Sequence, residues 1–339
     1  MNGESTGLTE PKNFSYSAPG SVMITGEHAV VYGYPAIVCA VDQGVSVEIR
    51  HRADRLVKIV SAVAPETRVS LNDLRPDSSS PLRFVLSCLY QYRNKVSSGF
   101  DVTIRSQINP TLGLGSSAAV TVAMLACLQR LAGVTETLSV DEQRRQLHTE
   151  ALKIVRNLQG RGSGADLAAC IYGGLVSYRL VEDESSAAHG CAEIGRLPPL
   201  PSLYLAYSGY KTPTAEVLAR VANDMVGQAE KYEALYFAMG NSSSSAITAA
   251  ADLDWAAFGK ELNHYQELMQ QLGVSDQRLD ELVVAARSES SCLAAKISGS
   301  GLGDCVLAIS DAATSDQGAF RAREFHQMGI DEQGARCHL

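Results

Sequence analysis

The stretch Gly113-Leu114-Gly115-Ser116-Ser117-Ala118 sets very small residues at the head of an apolar run that continues to Leu131. Two kinds of chemistry fit it. Ser116 or Ser117 can cap a helix while Gly113 and Gly115 shape a tight entry loop. Alternatively, the loop brings backbone to an anion. A helix N-terminus leaves its first N–H groups unpaired and carries about half a positive charge, and glycines let a phosphate approach it. On these residues alone the two readings stand level.

The other chemistry-bearing residues are equally two-sided. Asp166 lies in "GSGADLAACIYGG", where a carboxylate among small residues can accept a proton or simply cap the next helix. The adjacent Glu27 and His28, in "GEHAVVYG", can line a pocket or brace a loop. Thr214, in "KTPTAEVL", can face a ligand or serve as an N-cap. A second glycine run, "SGSGLGD" at 298–304, leads into an apolar strand rather than a helix, so it fits a hairpin as well as a site. No G-x-x-x-x-G-K-[ST] or H-E-x-x-H motif is present, which removes the ordinary P-loop and the zincins.

These residues need elements to hold them. "FSYSAPGSVMITG", "GVSVEIRHR", "LVKIVSA" and "FDVTIRSQI" alternate as strands do, and the last feeds the first glycine loop. Ser117 to about Leu131 suits a buried helix, and "SVDEQRRQLHTEALKIVRNLQG" an amphipathic one. "GSGADLAACIYGGLVSYRL" reads as a turn, a helical segment and a strand. The polar stretch Glu182–His189 with the following "LPPLP" marks a boundary. Beyond it come the strand "SLYLAYSG", three helical segments across 214–289, and a strand after the second glycine run. "NSSSS" at 241–245 reads as a loop or cap, and the tail "ARCHL" as a sheet edge. The mixture points to an α+β fold in two lobes.

The bulk composition sets limits. The chain has 339 residues, 45% apolar and 19% charged, with a net charge of −8. That charge excludes a general nucleic-acid footprint, and no apolar run reaches the roughly 18 residues of a membrane span. The eight cysteines are scattered without a C-x-x-C pair and read as reduced, buried thiols of a cytoplasmic protein.

Three segments in order, "APGSVMITGEHAVVYGYPAI" at 18–37, "GLGSSAAV" at 113–120 and "KISGSGLGDC" at 296–305, resemble the signature segments of the GHMP kinases. The resemblance spans nearly the whole chain. It implies an N-terminal lobe over 1–195 like the second domain of ribosomal protein S5, and a ferredoxin-like C-terminal lobe over 196–339. It also implies ATP and Mg2+, a small-molecule acceptor, no nucleic-acid or membrane partner, and leaves a homodimer open. Residues 113–118 would wrap the ATP phosphates, Ser117 would help hold magnesium and Asp166 would take the acceptor's proton. Glu27, His28 and Thr214 would lie at the acceptor. "GEHAVVYG" is most like members that phosphorylate mevalonate, while the Asp166 segment and the "GDC" ending look more like those acting on phosphomevalonate. Another small hydroxyl compound, or a nucleotide-binding sensor without turnover, are the remaining alternatives.

Two positions depart from the mevalonate-type pattern. Ser21 stands where a lysine is usual, and Val155, eleven residues before Asp166, where a glutamate ligand of magnesium is usual. Glu150, the nearest upstream carboxylate, is more than a helical turn away. Arg161, Lys211 and Lys296 are candidates to replace the cation, each otherwise a solvated surface charge or a phosphate contact elsewhere.

Overall fold

The computed structural model describes residues 13–134, 137–181, 191–311, 320–321 and 323–338. The leader at 1–12 and the polar stretch at 182–189 lie outside them. The first sheet is built from β1 (Asn13–Thr25), β2 (Ala36–His51), β3 (Leu56–Ser61), β4 (Ala64–Ser70), β5 (Phe100–Ser106), β6 (Leu175–Val181) and β7 (Cys191–Leu197). β2 is long enough to serve two neighbours on one side: Ala36–Cys39 pair with β6, and Val45–His51 with β5. Its first half is fully buried and reads as a continuous apolar run, whereas "GVSVEIRH" alternates because one face is covered less completely.

Four helices build this lobe around the sheet: α2 (Ser116–Leu131) and α4 (Ala165–Tyr172) pack on it, and α1 (Arg83–Tyr92) and α3 (Val140–Gln159) pack against those two and each other, α1 on α2 and α3 on both. α2 is the central one. Its Val122, Met124, Leu125 and Leu128 are all fully buried, each worth about 1.5–3 kcal/mol of apolar burial. α3 starts with a capping box: the Ser139 hydroxyl accepts from the Glu142 N–H, and the Glu142 carboxylate accepts from the Ser139 N–H. α1 has no counterpart among the expected elements, although Phe84, Val85, Leu86, Cys88, Leu89 and Tyr92 form a helical apolar face.

The second sheet is antiparallel, in the order β11 (His326–Met328), β8 (Ser202–Tyr207), β10 (Cys305–Ser310), β9 (Cys292–Ser298). Every residue of β10 is buried, because one face joins the core of the first lobe and the other meets its own helices. Four helices, not three, occupy 214–289: α5 (Thr214–Asp224), α6 (Ala229–Ala251), α7 (Trp255–Gln271) and α8 (Gln277–Arg287). The run at 241–245 is neither loop nor cap but the middle of α6. Its serines are there because they are small: Ser242 and Ser243 are buried, and Ser242 donates to the Glu261 carbonyl of α7 at 3.0 Å. A Cβ on the preceding Gly240 would sit 2.2 Å from the Tyr34 ring.

β7 runs through the expected boundary at 195–196 and pairs with β6, so this part of the first sheet ends at Leu197. The chain also returns to that sheet. β12 (Arg336–His338) pairs antiparallel with β1, the sheet edge expected of the tail. The expected α+β class and its two lobes describe the molecule.

Candidate active site

A cleft of about 730 Å3 opens where the two lobes meet. β1, the first glycine loop, the turn before α4, α5 and the second glycine run all contribute to its wall. A bulge in the β1–β2 pairing at Pro19/Gly20 turns β1 toward the first glycine loop. The loop comes so close that a Cβ on Gly20 would lie 2.6 Å from the Leu114 carbonyl oxygen. That oxygen accepts the Ser21 N–H at 3.1 Å.

Gly113 (φ 63°) and Gly115 (φ 64°) are both left-handed, a conformation that costs other residues about 1 kcal/mol or more. Space forbids side chains there as well. A Cβ would fall 2.4 Å from Asp304 Oδ1 at position 113, and 2.5 Å from Ser21 Oγ at 115. Gly115 is itself the N-cap of α2 and no side chain caps the helix. The capping reading of Ser116 and Ser117 is therefore corrected: both lie inside the first turn, and the first-turn amides are left for whatever enters the cleft. Ser116 is exposed, Ser117 half-buried, and both line the cleft. Ala118 does not line it; its methyl is fully buried, so only its backbone can contribute.

Asp166 is the second residue of α4, whose N-cap is Gly164, so Asp166 is not the cap either. Its carboxylate accepts the Leu167 N–H at 2.9 Å and lines the cleft. Burial raises its pKa above the ordinary carboxylate value, partly offset by backbone N–H bonds. One turn on, burial holds the Cys170 thiol fully protonated, beside the Ser21 hydroxyl. The turn that delivers Asp166 is tied down at three successive carbonyls. Arg156 Nε donates to Gly162 O at 3.1 Å, the Tyr178 hydroxyl to Ser163 O, and His148 Nε2 lies 3.0 Å from Gly164 O.

Glu27 and His28 form the opposite wall. His28 adopts φ 61°, with Nε2 2.9 Å from Ser300 O of the second glycine run. Burial lowers its pKa, so the ring is neutral at physiological pH. Glu27 pairs with Lys296 of β9, Oε1 to Nζ 2.6 Å, with both side chains essentially inaccessible. Lys296 is thus no surface charge but the missed partner of Glu27, linking the first and third signature segments across the lobes. Its Nζ also donates to the Ile297 carbonyl and sits 5.3 Å above the Tyr265 ring. Burial lowers its pKa, opposed by the Glu27 carboxylate. Two buried atoms of this wall have no protein partner: Glu27 Oε2 and His28 Nδ1.

The remaining candidates fall at the rim or behind it. Thr214 opens α5 after Pro213, which holds the N-cap position, and is exposed to the cleft. Lys211 pairs with Asp304 at 3.1 Å, a carboxylate that went unnoticed in the sequence. Arg161 is exposed and lines the cleft. Val155 lines it too, whereas Glu150 turns away to accept from the Tyr92 hydroxyl at 2.6 Å. Among the described residues no cluster of three or more His, Cys, Asp or Glu could hold a metal, and no helix is long and apolar enough to cross a membrane.

An uncapped helix N-terminus, a desolvated carboxylate and unpartnered buried polar atoms lining one cleft make up the arrangement of a small-molecule phosphotransferase. The sequence matches the GHMP kinases N terminal domain over residues 83–174 and the GHMP kinases C terminal domain over 246–327. Residues 5–51 match the galactokinase galactose-binding signature. The mevalonate kinase of Pyrococcus furiosus is 31% identical over 314 residues, covering 86% of this chain and 88% of that one. That of Thermococcus gammatolerans is 30% identical over 321 residues, covering 88% and 90%. The crystal structure of the Methanococcus jannaschii mevalonate kinase superposes with a TM-score of 0.73 at 21% identity, covering 93% of this chain and 98% of that one. This chain belongs to the GHMP kinase family. It is an ATP-dependent kinase with a small-molecule alcohol as acceptor.

Proposed function

We propose that this chain transfers the γ-phosphoryl group of ATP to the primary hydroxyl of mevalonate, giving 5-phosphomevalonate and ADP. The observation that carries the reading is the pair of buried, unpartnered atoms Glu27 Oε2 and His28 Nδ1 in the same cleft as Asp166 and the α2 N-terminus. A buried polar atom without a partner costs about 1–3 kcal/mol. A polyol seated there satisfies both: one hydroxyl donates to Glu27 Oε2, and another donates to His28 Nδ1, which is the acceptor of the neutral ring because Nε2 donates to Ser300 O.

In this reading the amides of Ser116, Ser117 and Ala118, with the loop Gly113–Gly115, hold the ATP phosphates. Asp166 accepts the acceptor's proton as its oxygen bonds to the γ-phosphorus and the bond from that phosphorus to the β–γ bridging oxygen breaks. The leaving electron pair stays with ADP. The raised pKa of Asp166 suits the task, since it brings the carboxylate nearer to working pH as a base. Thr214 stands at the acceptor's entry. Magnesium would be held through the Ser117 hydroxyl, with phosphate oxygens and water completing its shell. When bound it neutralises phosphate charge, and Val155 adds no ligand to it.

A second reading, a sugar as acceptor, is favoured by the match of residues 5–51 to the galactose-binding signature. ADP release measured with mevalonate, 5-phosphomevalonate, galactose and no acceptor separates the two. Turnover with mevalonate is expected, and Asp166→Asn should lower kcat by about 10^3-fold. Turnover with galactose alone would overturn the mevalonate assignment.

A further inference from the structure

The charges that line the cleft are nearly all matched. Glu27 is paired with Lys296, and Asp304 with Lys211. Among the described residues, Arg161 is the cation of that wall with no hydrogen-bonded or ionic partner. Its setting is unusual for a solvated side chain. The turn holding it contains Gly160 (φ 73°), Gly162 and Gly164 (φ 86°), a composition that by itself gives a mobile segment. Yet the carbonyls of Gly162, Ser163 and Gly164 are each held by a side chain, from Arg156 and His148 of α3 and Tyr178 of β6. A turn fixed on rigid elements gives its side chains a defined origin, the property a recognition residue needs.

The position along the chain matters too. Arg161 is at the open rim, five residues before Asp166, which lies deeper at the first turn of α4. Resting on the function proposed above, we infer that Arg161 binds the anionic end of the acceptor while the opposite end presents its hydroxyl to Asp166. In mevalonate that anion is the carboxylate, and the planar guanidinium matches it in two parallel hydrogen bonds. Arg161 is then a specificity residue remote from the reacting atoms, and Tyr178 and His148 are positioning residues that act through the turn. Such remote binding energy orients the acceptor for the chemical step.

The test compares mevalonate with its neutral analogue 3-methylpentane-1,3,5-triol, in which a hydroxymethyl group replaces the carboxylate. KM and kcat for acceptor and for ATP are measured in the wild type, Arg161→Gln, Arg161→Lys and Tyr178→Phe. The loss of a bidentate charged contact should raise the mevalonate KM by about 30–100-fold in Arg161→Gln. It should leave the triol KM and the ATP KM within about twofold and so erase most of the preference for the acid. Arg161→Lys should recover part of that preference, and Tyr178→Phe should raise the mevalonate KM alone by about fivefold. A rise in ATP KM instead, or an unchanged mevalonate-to-triol ratio in Arg161→Gln, overturns the inference.

Wild-type turnover with 5-phosphomevalonate and not mevalonate sinks the substrate assignment separately. The Arg161→Gln comparison is then run on that acceptor, where an unchanged KM overturns the inference and a raised one upholds it. Turnover with galactose alone, or with no acceptor, overturns both.

Discussion

The molecule has two glycine runs of similar composition, and they do opposite things. At 113–115 two left-handed glycines end in an uncapped helix, so amides are left over. At 299–304 every residue but Ser300 has positive φ, Leu302 and Asp304 included, and several groups of the run are tied to the surrounding protein. The Leu302 N–H donates to Val274 O at 2.8 Å and the Asp304 N–H to Tyr210 O at 2.9 Å. Ser300 O meets His28, and Leu302 O accepts from the Thr212 hydroxyl. In the function proposed above the first run is a surface offered to a ligand; the second is a strut that holds His28 and presents Asp304 to Gly113. The element that each run enters makes the difference. A helix leaves N–H groups unpaired at its start, whereas β10 takes its backbone groups into a sheet.

Substitutions sharpen that contrast. The largest effect is expected where β9 leads into the strut: Lys296→Met leaves the Glu27 carboxylate buried and alone, at a cost of about 3–5 kcal/mol, read from urea unfolding. Gly115→Ala should instead spare the fold while lowering kcat/KM for ATP by about 10^2-fold, because a Cβ there displaces Ser21 and tilts the loop away from the phosphates. Gly301→Ala should reverse the pattern. Its Cβ would lie 2.3 Å from Val274 O, so stability falls by about 2 kcal/mol with the ATP KM nearly unchanged. Equal kinetic damage from both glycine variants would erase the distinction between ligand surface and strut.

The smallest effect concerns Asp166. Its pKa is raised in the fold, so the native state holds this proton at pH values where the unfolded chain has lost it, and stability falls as pH rises through that window. Asp166→Asn should therefore melt slightly higher than the wild type at neutral pH, with the difference vanishing below the ordinary carboxylate range. The acidic limb of kcat should lie above that range for the same reason.

How much of this the sequence discloses depends on the range of the cause. The first glycine loop and the Asp166 turn are legible because left-handed backbone and close approach demand glycine at the position itself. The Glu27–Lys296 pair is not: its members are 269 residues apart, and only the topology that lays β9 beside β1 brings them together. Local rules misplace 241–245, since serine's preference for caps is overridden by the need for small residues where α6 meets α7 and Tyr34. The short strands β7 and β11 carry no periodicity of their own and exist because a neighbour offers an edge.

The pairing of β1 with β12 bears on how the protein is made. On the side of β1 away from β2, Ser15, Tyr16 and Ser17 meet His338, Cys337 and Arg336 of β12, the last of the described strands. During synthesis at about 5–20 residues per second, roughly 15–60 s separate the emergence of the two strands from the ribosome. For that interval the outer edge of the first sheet is an open template for other strands. The nascent chain therefore carries an unpaired edge along β1 until β12 arrives to close it.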